Sequence, residues 1–205
     1  FGLSHIDTLD FRKMVIKGDD VGRRDIFSLD AYDRLVRYLR TYVSKRACPD
    51  EDERLERMLI RDAILIASNT MLRVGELWQL RWKDIISIDD VFDEKEKRIL
   101  LVTINVRTEI SKVRKSRRIP VRGGDYVKRV RGRAEHTGPE DFVFCAIGKN
   151  TKVRPHAWYD RWKVVMNAVD IPDYAERQLT WYSLHHKILI YPVNLSNSFP
   201  IKFCL

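Results

Sequence analysis

The chain has 205 residues, of which 44% are hydrophobic and 33% charged, a composition that fits a folded domain rather than a disordered chain. No apolar run is long enough to span a bilayer, and the opening FGLSHIDTLDF lacks the basic start and apolar core of a secretory signal. The three cysteines are far apart and form no CxxC pair, so the sequence predicts neither a zinc site nor a disulfide framework and favours the reducing cytoplasm.

The net charge is concentrated in one segment. The whole chain carries +9, and residues 107–133 alone contain eleven Lys and Arg against two acids, which also gives +9, so the remaining residues balance to zero. A block of this kind is typical of a phosphate-binding surface, although a solvated charged face is the commoner origin of a charge run. Because these cations fall on predicted strands and turns rather than in a low-complexity tail, we favour nucleic-acid binding.

The first half of the chain is predicted to be helical after an N-terminal arm or linker at 1–24. Ser28 is a suitable N-cap, and apolar residues at helical spacing predict an amphipathic helix over 29–45. A second helix, apolar almost all round, follows from about Leu55 and ends near residues 69 and 70. A short third helix is expected at about 74–80.

The second half is predicted to contain the strands. The β-branched segment RILLVTINV predicts a strand over 98–106, and 117–121 predicts a second one, joined to the first by the charged loop SKVRKS. Gly123 and Gly124 end the sheet, a basic helix reaches about 134, and 142–144 is expected to be another short strand. One helix begins at Pro155 and is closed by Pro172, and a last helix begins near 179. The prediction is a mostly α protein with a small antiparallel β-sheet, of class α+β.

Two cations have both an ordinary and a functional interpretation. Arg73 follows the apolar second helix, where it is either a helix-end arginine paired with Glu76 or a guanidinium held ready to bind a phosphate. In the functional case Glu76 supports either that guanidinium or the local turn. Lys112 is either a solvated hairpin lysine or an ammonium that protonates a leaving oxygen.

Three motifs occur in a recognisable order. LRVGEL at 72–77 is followed by WKDI, then by ISKVRKSRRIPV at 110–121, and finally by LTWYSLHH at 179–186. Together with RRDIFSLDAYDRL at 23–35, this series resembles the catalytic domain of the tyrosine recombinases, the phage-integrase family. The resemblance implies a catalytic domain over 25–186, followed by a divergent tail at 187–205.

The resemblance also implies a chemistry. In this family a tyrosine attacks a DNA phosphodiester and forms a covalent phosphotyrosine bond, with no metal and no cofactor. It assigns catalytic roles to Arg73, Lys112, Tyr182 and His185, and it makes the hairpin cations candidate DNA contacts: Arg114, Lys115, Arg117 and Arg118. The implied partner is double-stranded DNA, with self-association on that DNA and no membrane.

The chain departs from the family pattern near its end. His185 stands where the pattern has a second arginine, and a neutral histidine cannot form the same two-pronged contact. Tyr191 is the one tyrosine after His185. It follows His185 too closely to be the usual nucleophile, so we expect the nucleophilic tyrosine to be missing. The apolar tail has no acid after Glu176. We interpret it as a frameshift or truncation beginning near 185, with genuine divergence as the alternative.

Three functions therefore remain open. The first is a DNA strand-transfer enzyme of the tyrosine-recombinase type, complete or as a fragment. The second is a DNA-binding protein with the same fold and no catalysis. The third is an unrelated RNA- or protein-binding module that carries these motifs by chance.

Overall fold

A computed structural model of the chain describes residues 25–70, 72–92 and 96–185, with the backbone alone for His185. It contains six α-helices and a three-stranded antiparallel sheet within those residues, which confirms the predicted α+β class. The expected arm at 1–24 and tail at 187–205 lie outside the described residues. None of the helices in the described part has both the length and the apolar character needed to cross a membrane.

The first helix, α1 (Leu29–Tyr42), begins as predicted and ends earlier. The Ser28 hydroxyl oxygen accepts a hydrogen bond from the Ala31 N–H at 3.2 Å, so the expected N-cap is confirmed. After Tyr42 the backbone turns, because the Ser44 carbonyl accepts from the N–H groups of Ala47 and Cys48 instead of continuing the helix. The predicted extension to 45 is therefore wrong.

Helix α2 (Glu51–Asn69) provides much of the core. Asp50 caps it by accepting from the Glu53 N–H at 2.7 Å. From Ile60 onward its side chains are mostly buried, as the all-round apolar pattern predicts. One of those buried side chains is charged, that of Asp62.

The next helix, α3 (Val74–Leu77), is one turn long rather than reaching residue 80. The Leu80 carbonyl accepts from the Val143 N–H at 2.9 Å, and the Trp82 N–H donates to the Asp141 carbonyl at 3.0 Å. This pairing takes the backbone away from the helix. It also corrects the prediction of a strand at 142–144, because the structure has only single bridges there, Arg81 with Phe142 and Cys145 with Lys152.

The sheet has the order β1-β2-β3, with strands β1 (Ile85–Phe92), β2 (Arg98–Val106) and β3 (Arg117–Arg122). The bounds of β2 are those predicted, and β3 is one residue longer. Val102 in the central strand pairs with Ile88 on one side and with Val121 on the other. Strand β1 was not predicted.

The remaining helices are α4 (Gly124–Arg131), α5 (Pro155–Ala168) and α6 (Trp181–His185). Gly123, at φ +119°, has the left-handed backbone that favours glycine and turns the chain from β3 into α4. At Gly124 a Cβ would lie 2.8 Å from Ile88 Cγ2 and 2.9 Å from Leu100 Cβ, so glycine lets α4 pack closely on the sheet. Helix α4 is shorter than predicted and ends at Arg131.

Tryptophan rings join the helices around the site. The Trp158 ring of α5 stacks on Trp78 at a centroid distance of 5.8 Å and meets Trp181 of α6 edge-on at 5.6 Å. Trp78 directly follows α3, and its ring also contacts that of Trp181 at 6.2 Å. The cluster therefore fixes α6 beside α3.

The buried phenol of Tyr32 makes stability sensitive to alkaline pH. Its Oη lies 2.7 Å from Ser68 Oγ, and burial raises its pKa to about 12. Because that value exceeds the unfolded one, the phenol's contribution is complete below about pH 10 and is lost as the pH rises toward 12.

We expect Tyr32→Phe to unfold more easily than the wild type at about pH 9, by about 1 kcal/mol for the lost hydrogen bond. At about pH 11 the gap should shrink, since only the wild type must keep its phenol protonated. Urea unfolding at both pH values measures the difference in free energy of unfolding between the two proteins. A difference that is the same at both pH values would contradict the raised pKa of Tyr32.

Candidate nucleic-acid interface

Glu76 organises the start of α3. Its side chain is buried, and its Oε2 accepts from the Arg73 backbone N–H at 2.9 Å, which caps the helix. Its Oε1 accepts from Arg73 Nη1 at 3.4 Å. Glu76 thus contacts both the guanidinium and the turn, and the ordinary interpretation of Arg73 predicts the same ion pair.

Arg117 joins strand β3 to the same carboxylate. Its Nη1 donates to Glu76 Oε1 at 3.1 Å and its Nη2 to Oε2 at 2.6 Å, a two-pronged ion pair. The sequence placed Arg117 among the DNA contacts and did not predict this pairing. The available signal was Glu76 itself, because a carboxylate next to an apolar helix needs a cationic partner if it is buried.

The resulting trio carries a net positive charge. Two guanidiniums share one carboxylate, and the side chains of Arg73 and Arg117 are still 41% and 31% exposed. Both Nη1 atoms contact Glu76 Oε1, so the sum of the two distances, 6.5 Å, is the largest separation they can have. Two charge-assisted hydrogen bonds of about 2.8 Å to one oxygen already span about 5.6 Å. The two guanidiniums are therefore close enough together to contact one phosphate, although Glu76 Oε1 lies between them here.

The connection between β2 and β3, residues 107–116, is fixed at its base and exposed over 112–116. Arg107 Nε donates to the buried Asp84 carboxylate at 2.8 Å, and Arg107 Nη2 donates to the Gln79 carbonyl at 3.0 Å. Lys112 lies beyond this anchor in a segment of turns and is exposed. So are three of the predicted DNA contacts: Arg114, Lys115 and Arg118.

Helix α6 carries the two other predicted site residues. It packs against α2 and α3, with Trp181 buried and Tyr182 exposed. The Thr180 N–H donates to Ser183 Oγ at 3.1 Å at the start of the helix. His185 is the last residue of α6, and its side chain lies outside the description. The structure thus brings Arg73 and Arg117 into one cluster, and it sets α6 beside the helix that Arg73 caps.

Comparisons of the chain with protein-family models, with curated proteins and with solved structures found no match in any of the three. The function must therefore be argued from the residues of the chain.

Replacing the buried carboxylate should be costly. We expect Glu76→Gln to lower the free energy of unfolding by about 3 kcal/mol, the low end for a broken buried ion pair, because both guanidiniums still reach water. Chemical denaturation provides the measurement. Glu140→Gln is a matched control, since the exposed Glu140 also contacts two cations, Arg81 and Lys83, and its replacement should change stability far less. Equal effects would show that Glu76 has no special structural role.

Proposed function

We propose that the chain binds duplex DNA and belongs to a DNA strand-transfer system of the tyrosine-recombinase type. The observation that carries this proposal is the Glu76 trio. It unites Arg73 of the Leu-Arg motif with Arg117 of the Arg-Arg-Ile-Pro motif, although 44 positions separate them in the sequence. The ion pair between Glu76 of the first motif and Arg117 of the second brings the two motifs together in space.

The fold and the charge distribution agree with the proposal. A mostly helical domain with a three-stranded antiparallel sheet has the coarse architecture expected of a recombinase catalytic domain. The hairpin carries exposed cations beyond an anchored base, as a DNA-contacting element requires. We therefore propose the recombinase fold for the region of 25–186.

In the proposed reaction, a tyrosine oxygen attacks the phosphorus, the bond to the 5′ oxygen breaks, and a phosphotyrosine ester forms. Arg73 binds a non-bridging oxygen as its negative charge grows, and Arg117 stands next to it. Lys112 gives its proton to the departing 5′ oxygen, while Tyr182 and His185 assist from α6. We assign the attacking tyrosine to none of the described residues.

The second candidate is DNA binding without strand cleavage. The observation that favours it is His185, which stands where the family pattern has an arginine. Such a protein would use the same phosphate contacts and would form no covalent bond.

An adduct assay separates the two candidates. The chain is incubated with a pool of nicked duplexes of randomised sequence, and the products are examined for an adduct that resists SDS. Strand cleavage by a tyrosine of this chain predicts an adduct, and Arg73→Ala should reduce its rate of formation by about 100-fold or more while changing duplex affinity much less. If the wild type forms no adduct with any duplex, this chain does not cleave DNA by itself, and binding is the function supported for it.

The hairpin cations should determine the salt dependence of binding. Replacing Arg114, Lys115 and Arg118 together with Gln should reduce the slope of log K against log salt by about 2–3, since each phosphate contact contributes about 0.9. Three exposed lysines elsewhere form a control of equal charge: Lys149, Lys152 and Lys163. Fluorescence anisotropy over a salt series measures the slopes. If the slope of log K against log salt falls equally in both triple variants, net charge explains the binding and the hairpin has no specific role.

A further inference from the structure

A second buried carboxylate, that of Asp62 in α2, contacts three arginines. Asp62 is fully buried, and Arg61 donates to both of its oxygens, at 2.9 and 3.0 Å. Arg129 Nη2 donates to Oδ1 at 2.7 Å, and Arg133 Nη2 pairs with Oδ2. We call these four residues the Asp62 cluster.

The Asp62 cluster has more positive charge than its carboxylate can neutralise. Three guanidiniums against one carboxylate leave a net +2, and neither Arg129 nor Arg133 forms an ion pair with another carboxylate in the described part of the chain. Their side chains are 41% and 27% exposed, so the excess charge reaches solvent. The Arg129 guanidinium also lies over the Tyr126 ring, 4.8 Å from its centroid, which orients it further.

Helix α4 leads from the end of β3 to the Asp62 cluster. A Cβ at Gly123, just before α4, would lie 3.7 Å from Asn69 Cβ at the end of α2, whereas Arg129 and Arg133 reach Asp62 earlier in α2. The two helices therefore run in opposite directions. Asp62 precedes Asn69 by seven residues, a rise of about 10 Å. The exposed Lys128 and Arg131 of α4 belong to the same basic block.

The N-terminal end of α2 limits how far a phosphate-binding surface can extend. Its first turn is acidic, with Glu51, Asp52 and Glu53, and a phosphate backbone would be repelled there. Exposed cations therefore occur on β3, along α4 and at the Asp62 cluster, with Asp125 between them in the first turn of α4, and acids begin at the start of α2.

We propose that the Asp62 cluster is a second phosphate-binding site, which holds the backbone of the same DNA duplex beyond the part contacted by the β2–β3 hairpin. This rests on the proposed DNA binding. The guanidiniums of Arg129 and Arg133 bind phosphate oxygens, and Asp62 fixes their positions. Because backbone phosphates are the target, the site adds affinity without sequence preference.

The alternative role is a brace between α2 and α4, and the two roles have different consequences. A brace affects stability, whereas a phosphate contact releases counterions and so affects the salt slope of DNA binding. The slope is unaffected by a purely structural ion pair as long as the variant is folded at the temperature of the measurement.

The test uses the full chain and a duplex of random sequence. The double variant Arg129→Gln with Arg133→Gln should lower the slope of log K against log salt by about 1–2, from about 0.9 for each lost contact. Arg129→Lys with Arg133→Lys, which keeps the charges, should retain the slope. Lys152→Gln with Lys163→Gln is the control of equal charge and should retain the wild-type slope. Thermal unfolding identifies the temperature at which all variants are folded.

A further variant separates organised arginines from a diffuse positive surface. Asp62→Asn raises the net charge by one, so a diffuse surface would bind DNA more tightly, whereas an organised site should bind more weakly because its arginines lose their anchor. If Asp62→Asn does not fold, the salt slope of the Arg129→Gln and Arg133→Gln variant is the test of the site. A wild-type slope in the Arg129→Gln and Arg133→Gln variant would overturn the site while leaving DNA binding intact. A wild type with no salt-dependent duplex binding would instead refute the proposed function, and the second site with it.

Discussion

The candidate site depends on the ion pairs that the buried carboxylate of Glu76 forms with two arginines. A carboxylate out of water is destabilising unless hydrogen bonds and cations surround it. Here it has the backbone N–H and the guanidinium of Arg73 on one side and the guanidinium of Arg117 on the other. Helix α3 is a single turn, too short to be stable by itself. Glu76 therefore does more than cap this turn, because it ties the segment after α2 to strand β3.

Two other sets of contacts hold this arrangement from outside. The tryptophan rings of α5 and α6 pack on Trp78 directly after α3, so the position of that helix is fixed by the aromatic core. The ion pair between Arg107 and Asp84, two residues that follow and precede the β1–β2 hairpin, anchors the base of the connection that carries Lys112. Arg73 and Arg117, for which we propose phosphate contacts, thus project from rigid elements, which would reduce the entropy lost on binding.

Local patterns in the sequence predicted the local structure well. The periodicity of α1, α2 and α5 and the β-branched run of β2 were sufficient to locate these elements, because each is decided by neighbouring residues. Strand β1 was missed because Asp89 and Asp90 interrupt its apolar pattern, and as an edge strand it is only partly buried. The strand predicted at 142–144 was wrong because its backbone pairs with the chain near Leu80, which no local pattern indicates. The ion pair of Glu76 with Arg117 spans 41 positions, so the sequence suggested both residues without revealing their contact.

The two buried carboxylates follow one physical rule. Glu76 and Asp62 together hold five arginines, so within the described part of the chain the two clusters carry a net charge of +3. A free arginine side chain loses about 2 kcal/mol of rotamer entropy when a ligand fixes it. In both clusters the carboxylate has already fixed the guanidinium, and a guanidinium has five N–H donors, more than any of these ion pairs uses. The acids lower the local potential, but they leave oriented donors facing solvent. A surface of this kind favours a ligand with many regularly spaced anions over a single free anion, because each contact is modest and the contacts add along the chain of phosphates.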